Sequence, residues 1–335
     1  MKNFLATIVA VVLSLTGGHA KDWVEYAGQT GPGQGRHIVF LSGDEEYRSE
    51  EALPQLAKIL SQRHGFKCTV LFSVNPDGTI SPTNGASLSN PHALDSADAI
   101  VMSLRFRHWD DHTMGHFEQA LHRGVPIIAL RTSTHAFNGI PKDSPFAKWN
   151  YGHKGGFGKQ VLGETWVSHW GHHKREATRG IIEASAKSDP ILRGVEDVFG
   201  DTDVYEAAPP ADATILLRGQ VLKGMKPTDE PADYKKKTAA KVEQGVNDPM
   251  MPVAWTRLNK NDAGQANKIF CTTMGSATDL ESEGLRRLLV NSVYWGLGLP
   301  VPAKANVGLV GDFKPTMYGF DGFKKDTKPG DYDLK

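Results

Sequence analysis

Residues 125–130, VPIIAL, form an unbroken apolar run between Gly124 and the polar series Arg131, Thr132, Ser133, Thr134 and His135. So short a run, without polar alternation, reads as a strand buried on both faces, which a parallel sheet covered by helices provides. Residues 116–122 before it are polar and helix-like. Open α/β sheets hold ligands beyond the C-terminal ends of their strands. One charge, three hydroxyls and an imidazole directly after the run therefore mark the edge where a site is expected.

The preceding chain repeats this rhythm. Residues 36–41 predict a first strand, followed by a loop with Asp44, Glu45, Glu46 and Tyr47. Ser49 is an N-cap candidate with Glu50 and Glu51 behind it, and Leu53, Leu56, Ile59 and Leu60 recur at helical spacing. Residues 66–72 and 99–104 predict the second and third strands. Alternation of this kind implies parallel pairing with right-handed crossovers. The expected fold is a single flavodoxin-like or Rossmann-like three-layer α/β domain over residues 36–298, with a mostly parallel sheet and long insertions. Residues 141–163 and 225–251 are expected outside the sheet, and 299–335 as an irregular tail. Later strand-like runs cover residues 177–183, 201–206 and 213–218, and 252–257 pairs with 268–273 across turn-forming residues 261–265. Residues 280–295 suit a helix packed on the sheet, and the Lys-rich 223–247 a solvated loop or helix.

Strand ends of a parallel sheet gather on one side. That edge brings Glu45 together with Arg107, His108 and Trp109 after the third strand, and with Arg131, Ser133 and His135 after the fourth. These residues, with Trp170, are candidate ligand contacts, and His135 is a candidate for proton transfer because an imidazole exchanges protons near neutrality. Arg131 has two readings. Its permanent charge either binds an anionic or strongly polar ligand group, or pairs with an acid as a scaffold bridge. Residues 164–173, ETWVSHWGHH, carry three imidazoles within five positions. His153, His169 and His172 are candidate ligands for a divalent metal, although their spacing matches no compact zinc motif.

Residues 1–20 combine Lys2, an apolar stretch over 4–15, and small residues Gly18 and Ala20 before Lys21. This is the pattern of a secretory signal peptide, and the stretch is too short to span a bilayer comfortably. The expectation is a periplasmic or secreted chain of 315 residues with no membrane span. Basic and acidic residues balance at 38 each, with no basic block among aromatics, which argues against nucleic acid as a partner. Cys68 and Cys271 lie within strand-like runs, where a small buried hydrophobe is the commoner role, although export permits a bridge.

Several segments in this order resemble the trehalose-utilisation (ThuA-like) domain family. They are the strand before Arg131, Leu162-Gly163 followed by His169, Asp189-Pro190-Ile191 leading to Asp203-Val204-Tyr205, and Met251-Pro252-Val253-Ala254-Trp255 followed by residues 268–275. The resemblance implies a sheet like that of class I glutamine amidotransferases without their cysteine, and a role in disaccharide or keto-sugar catabolism. It adds His169, Tyr205 and Asp203 to His135 as candidate catalytic residues. Arg131 and Ser276-Ala277 stand where the family carries histidines. Three classes stay open: a hydrolase, lyase or isomerase acting on a carbohydrate, a non-catalytic sugar-binding domain, and a partner-binding domain.

Overall fold

The computed structural model describes residues 21–334, so the proposed signal peptide lies outside the described residues. The first half of the chain is β1 (Trp23–Tyr26), β2 (His37–Gly43), α1 (Ser49–His64), β3 (Lys67–Phe72), β4 (Ala99–Leu104), α2 (Asp111–His122) and β5 (Ile127–Leu130). The second half is β6 (Thr178–Ile182), β7 (Phe199–Gly200), β8 (Thr214–Val221), β9 (Lys235–Lys237), β10 (Glu243–Gly245), β11 (Met251–Lys260), β12 (Ala266–Thr272) and α3 (Glu283–Gly296).

Ten strands form one sheet in the order β1-β3-β2-β4-β5-β12-β11-β8-β6-β7. Side chains alternate across it. Ile38 and Phe40 of β2 pack with α1 and α3 on one face, while Val39 and Leu41 pack with Met114 and Phe117 of α2 on the other. The result is a large three-layer α/β domain.

The sheet is mixed, which corrects the expectation of a mostly parallel one. β3, β2, β4, β5 and β12 are parallel neighbours, whereas β1 runs antiparallel to β3, and each step from β12 to β11, β8, β6 and β7 is antiparallel. The reason is connection length: β11 and β12 are joined by the tight turn around Asn261, whose side chain accepts from Ala263 N and Gln265 N at 3.0 Å, and a hairpin pairs only antiparallel strands. The Lys-rich segment contains the two-stranded hairpin β9-β10. Cys68 on β3 and Cys271 on β12 are both buried free thiols. Four strand spacings separate them, about 19 Å at the usual interstrand distance, far beyond disulfide reach. No helix among the described residues is long and apolar enough to cross a membrane.

Residue Arg48 occupies the cap position of α1 in a left-handed conformation (φ 58°), and the Ser49 hydroxyl meets Ser42 Oγ at 2.9 Å instead of capping the helix. In the same first turn Glu50 is buried, and neither carboxylate oxygen has a hydrogen-bond partner. Burial pushes its carboxyl up to about 8. The folded chain thus holds a proton that the unfolded chain releases above the ordinary value of 4.5, so stability falls as pH rises from there through about 8. Glu50→Gln is expected to flatten that dependence and raise stability by about 2–3 kcal/mol at pH 7. Urea unfolding at pH 5 and pH 7 measures this, and an unchanged slope would place an ionised carboxylate there.

Candidate active site

Arg131 directly follows β5 in a left-handed conformation (φ 43°), uncommon for a residue with a side chain. Its guanidinium is fully buried and fastened to the far half of the sheet. Nη1 donates to the carbonyls of Asp203 (2.7 Å) and Thr273 (2.6 Å), and Nη2 donates to Asp203 Oδ1 (2.8 Å) and Tyr47 Oη (3.1 Å). The rings of Tyr205 and Tyr47 lie 3.8 and 4.6 Å from its Cζ. Of the two readings of Arg131, the geometry is that of the scaffold bridge: the cation is committed to Asp203 and does not reach solvent.

Asp203 is the centre of the group. Besides Arg131 it receives His169 Nδ1 on Oδ2 at 2.8 Å and His173 Nδ1 on Oδ1 at 3.1 Å. Burial alone would raise its carboxyl, but the Arg131 charge and the two imidazole hydrogen bonds outweigh burial and hold it well below the usual range. His173 spans two carboxylates, its Nε2 lying 3.0 Å from Glu46 Oε1. Hydrogen bonds to Asp203 and then Glu46 push His173 up to about 9, so it is an imidazolium at neutral pH. Raised above the ordinary 6.5, it contributes stability that is complete below that value and lost as pH rises through about 9. Titration of the His173 ring by NMR is expected to show a midpoint near 9, and a midpoint at or below 6.5 would contradict the double carboxylate pairing.

His169 differs from its neighbours in being open. Its side chain is 36% exposed, and with Nδ1–H given to Asp203 the second ring nitrogen is left as a lone-pair acceptor. Lys236 of β9 donates to the carbonyls of His169 (2.6 Å) and Trp170 (2.9 Å), so the hairpin outside the main sheet fixes this segment. The half-buried Trp166 lies 5.8 Å from the His169 ring and 5.6 Å from the His135 ring. His135 itself is enclosed by Phe106, Tyr151 and Trp166. Burial, then the charges of Arg105 and Arg131, holds it well below the ordinary imidazole range, so it is neutral. Tyr205 is also buried, which keeps its phenol protonated, and it donates to Tyr47 Oη at 3.3 Å.

The other sequence candidates are placed differently. Glu45 pairs with Arg105 and with Arg107 (3.0 Å), and the buried Arg107 also donates to Pro82 O at 2.8 Å. Ser133 is buried and donates to Met102 O at 3.0 Å. Trp109 packs in the core against Phe117 and Phe137, and Trp170 is buried with Nε1 donating to Val246 O. Of these five, Arg107, Ser133, Trp109 and Trp170 are buried and serve packing and internal pairing, while Glu45 is engaged by the two arginines. His108 is exposed beside Gly85 and Gly139. His153 is exposed, and His172 pairs with Glu176 at 3.1 Å, so neither joins His169; His173 does.

The sequence left Tyr318 in an irregular tail, yet it stacks on Tyr47 at 5.1 Å and donates to Asp201 O. Gly319 N donates to Glu46 O, so the tail backs the acid that holds His173. The Gly-rich excursion has a reason here too: a Cβ on Gly158 would lie 1.9 Å from Thr134 O, so only glycine lets that segment close over the strand exit.

His169, His173 and Asp203 each bring a metal-ligating atom within 4.8 Å of the others. Both nitrogens of His173 are engaged by carboxylates, so an ion there has to displace its proton.

No family model and no curated protein matches the chain. Among solved structures it is similar to a chain described as thua-like from Bacteroides uniformis, at 14% identity over 80% of this chain and 92% of that one, with a TM-score of 0.49. It is similar also to one so described from Parabacteroides merdae, at 13% identity over 85% and 97%, with a TM-score of 0.47. A third, the mmIFT52 N-terminal domain, shares 11% identity over 78% and 97%, with a TM-score of 0.36. These similarities assign neither activity nor ligand to this chain.

Proposed function

We propose that the protein is an acid–base enzyme acting on a small polyhydroxylated carbohydrate, with His169 as its proton-transfer group. The observation that carries this reading is the 2.8 Å contact between His169 Nδ1 and the buried Asp203, on a side chain that is otherwise solvent-accessible. A carboxylate that fixes the tautomer and stabilises the imidazolium is what a histidine base requires. Arg131 keeps Asp203 ionised, and His173 with Glu46 fixes its other oxygen. Trp166 supplies an apolar face of the kind sugar rings pack against.

The substrate class rests on the sequence resemblance to ThuA-like domains, which points to disaccharides and keto-sugars. A keto group suits this site, because a single histidine base can remove a proton beside a carbonyl, the step shared by lyases and isomerases. Incubating the protein with neutral disaccharides, their keto derivatives and sugar acids, and following products by mass spectrometry, tests it. Conversion confined to the keto-sugars is expected. Saturable binding with no conversion would make this a sugar-binding domain, and neither binding nor conversion would remove carbohydrates as its ligands.

A divalent metal is a second occupant for the His169, His173 and Asp203 cluster, favoured by the mutual reach of their ligand atoms. On that reading added Mn2+ or Zn2+ raises conversion more strongly at alkaline pH, where His173 gives up its proton, whereas the proton-transfer reading predicts no metal requirement. The proposal includes export, with cleavage after Ala20. The intact mass of protein recovered from the envelope or medium is expected to begin at Lys21.

A further inference from the structure

We propose a transition-metal site outside the candidate active site, formed by His92, His112 and His116 with Asp95 behind them. Each of the three imidazoles offers a ring nitrogen, and the three atoms lie within 4.8 Å of one another. Bonds of about 2.0–2.1 Å to a tetrahedral zinc place ligand nitrogens roughly 3.4 Å apart. The histidines therefore need only small rotations to close on an ion.

Two local structures produce the cluster. His112 and His116 are four residues apart on α2 and so share one face of the helix. His92 comes from the short 3-10 helix Pro91–Ser96 that precedes β4, and Asp95 stands one turn further along it. The rings meet edge to face, with centroids 4.4 Å apart for His92 and His116, 4.9 Å for His112 and His116, and 5.4 Å for His92 and His112.

Asp95 makes this more than ring packing. His116 Nδ1 lies 2.6 Å from Asp95 Oδ1, and the donated proton leaves Nε2 with the lone pair that a metal needs. A carboxylate behind a ligating imidazole is the usual outer support of a zinc site, fixing tautomer and ring orientation and raising the basicity of the ligand. The second oxygen of Asp95 lies 3.6 Å from His92 Nδ1, so one carboxylate faces two of the three rings. His92 is 65% exposed, which gives an ion a path in and lets this ring adjust. Nitrogen donors select Zn2+, Ni2+ or Cu2+ over the oxygen-seeking Mg2+ and Ca2+. An ion here would clip the turn before β4 to the helix after it.

Calorimetric titration of the whole chain with zinc chloride at pH 7.5 is the test, with magnesium chloride as the comparison. Zinc is expected to bind where magnesium does not. His112→Ala/His116→Ala is expected to lose at least about a hundredfold in affinity, and Asp95→Asn roughly ten- to a hundredfold, the range for outer supports of metal ligands. Far-UV circular dichroism checks that the α2 variant folds. His92→Ala, on the exposed turn, gives a second removal of a ligand that leaves the helix untouched. His169→Ala/His173→Ala distinguishes the two clusters, because zinc affinity at the α2 site survives it. Wild-type zinc binding weaker than about 1 mM overturns the proposal. So does unchanged affinity and stoichiometry in both the His112→Ala/His116→Ala and His92→Ala variants.

Discussion

Asp203→Ala is expected to lower stability by about 3–5 kcal/mol, because it leaves a buried guanidinium without its counter-charge. Arg131 and Asp203 are both excluded from solvent and joined at 2.8 Å. In the variant Arg131 keeps the neutral acceptors at the backbone carbonyls of residues 203 and 273 and at Tyr47 Oη, but the imidazolium of His173 loses one of its two carboxylates. Two positive groups then face each other across the space Asp203 filled. The midpoint and slope of urea unfolding measure the loss, and a cost under about 1 kcal/mol would mean that the buried pair is not intact in solution. Replacing both charges, Arg131→Met with Asp203→Leu, is expected to cost less than the sum of the single changes, since neither partner is then left unpaired. In the wild type, with its carboxyl held below the ordinary 3.8, Asp203 contributes stability that is present above that value and lost as pH falls below it.

The second large effect is on turnover. His169→Ala is expected to reduce kcat by about 10²–10⁴-fold, the usual contribution of a positioned acid or base. His135→Ala is expected to reduce it less than about tenfold, although His135 follows the central strand directly. Burial and the neighbouring arginine charges keep His135 neutral and make it a poor base, and its ring is enclosed by Phe106, Tyr151 and Trp166. Comparing the two variants by kcat and KM separates a proton-transfer role from a packing role. Equal losses would move the reactive imidazole to position 135 or to both positions.

Much of the parallel half was legible in the sequence because its signals are local. The apolar runs that became β2, β3, β4 and β5, and the helical spacing of Leu53, Leu56, Ile59 and Leu60, need no information from elsewhere in the chain. Partner choice does: nothing within residues 266–272 says that β12 lies beside β5 while its hairpin mate β11 extends the sheet in the antiparallel sense. β1 is four residues long and defined by its pairing with β3. The β9 sequence Lys235-Lys236-Lys237 has low strand propensity and is held by β10.

The site divides in the same way. His169, Asp203 and Tyr205 entered through the family resemblance, and the structure brings them together. Tyr47 and Glu46 were on the expected sheet edge, but their partners, Arg131 and His173, lie 84 and 127 positions away along the chain. The tryptophans show the limit of composition most plainly. Trp109, Trp166 and Trp170 look alike in the sequence, yet only the half-buried Trp166 among the three stands beside the open histidine.

The most direct measurement of the central claim is ligand binding and turnover in one preparation of His169→Ala, using the carbohydrate that the wild-type protein converts. The account predicts that the dissociation constant stays within about tenfold of the wild-type value while turnover falls by at least about a hundredfold. Wild-type turnover in this variant, with the fold intact, would contradict the assignment of His169 as the proton-transfer group.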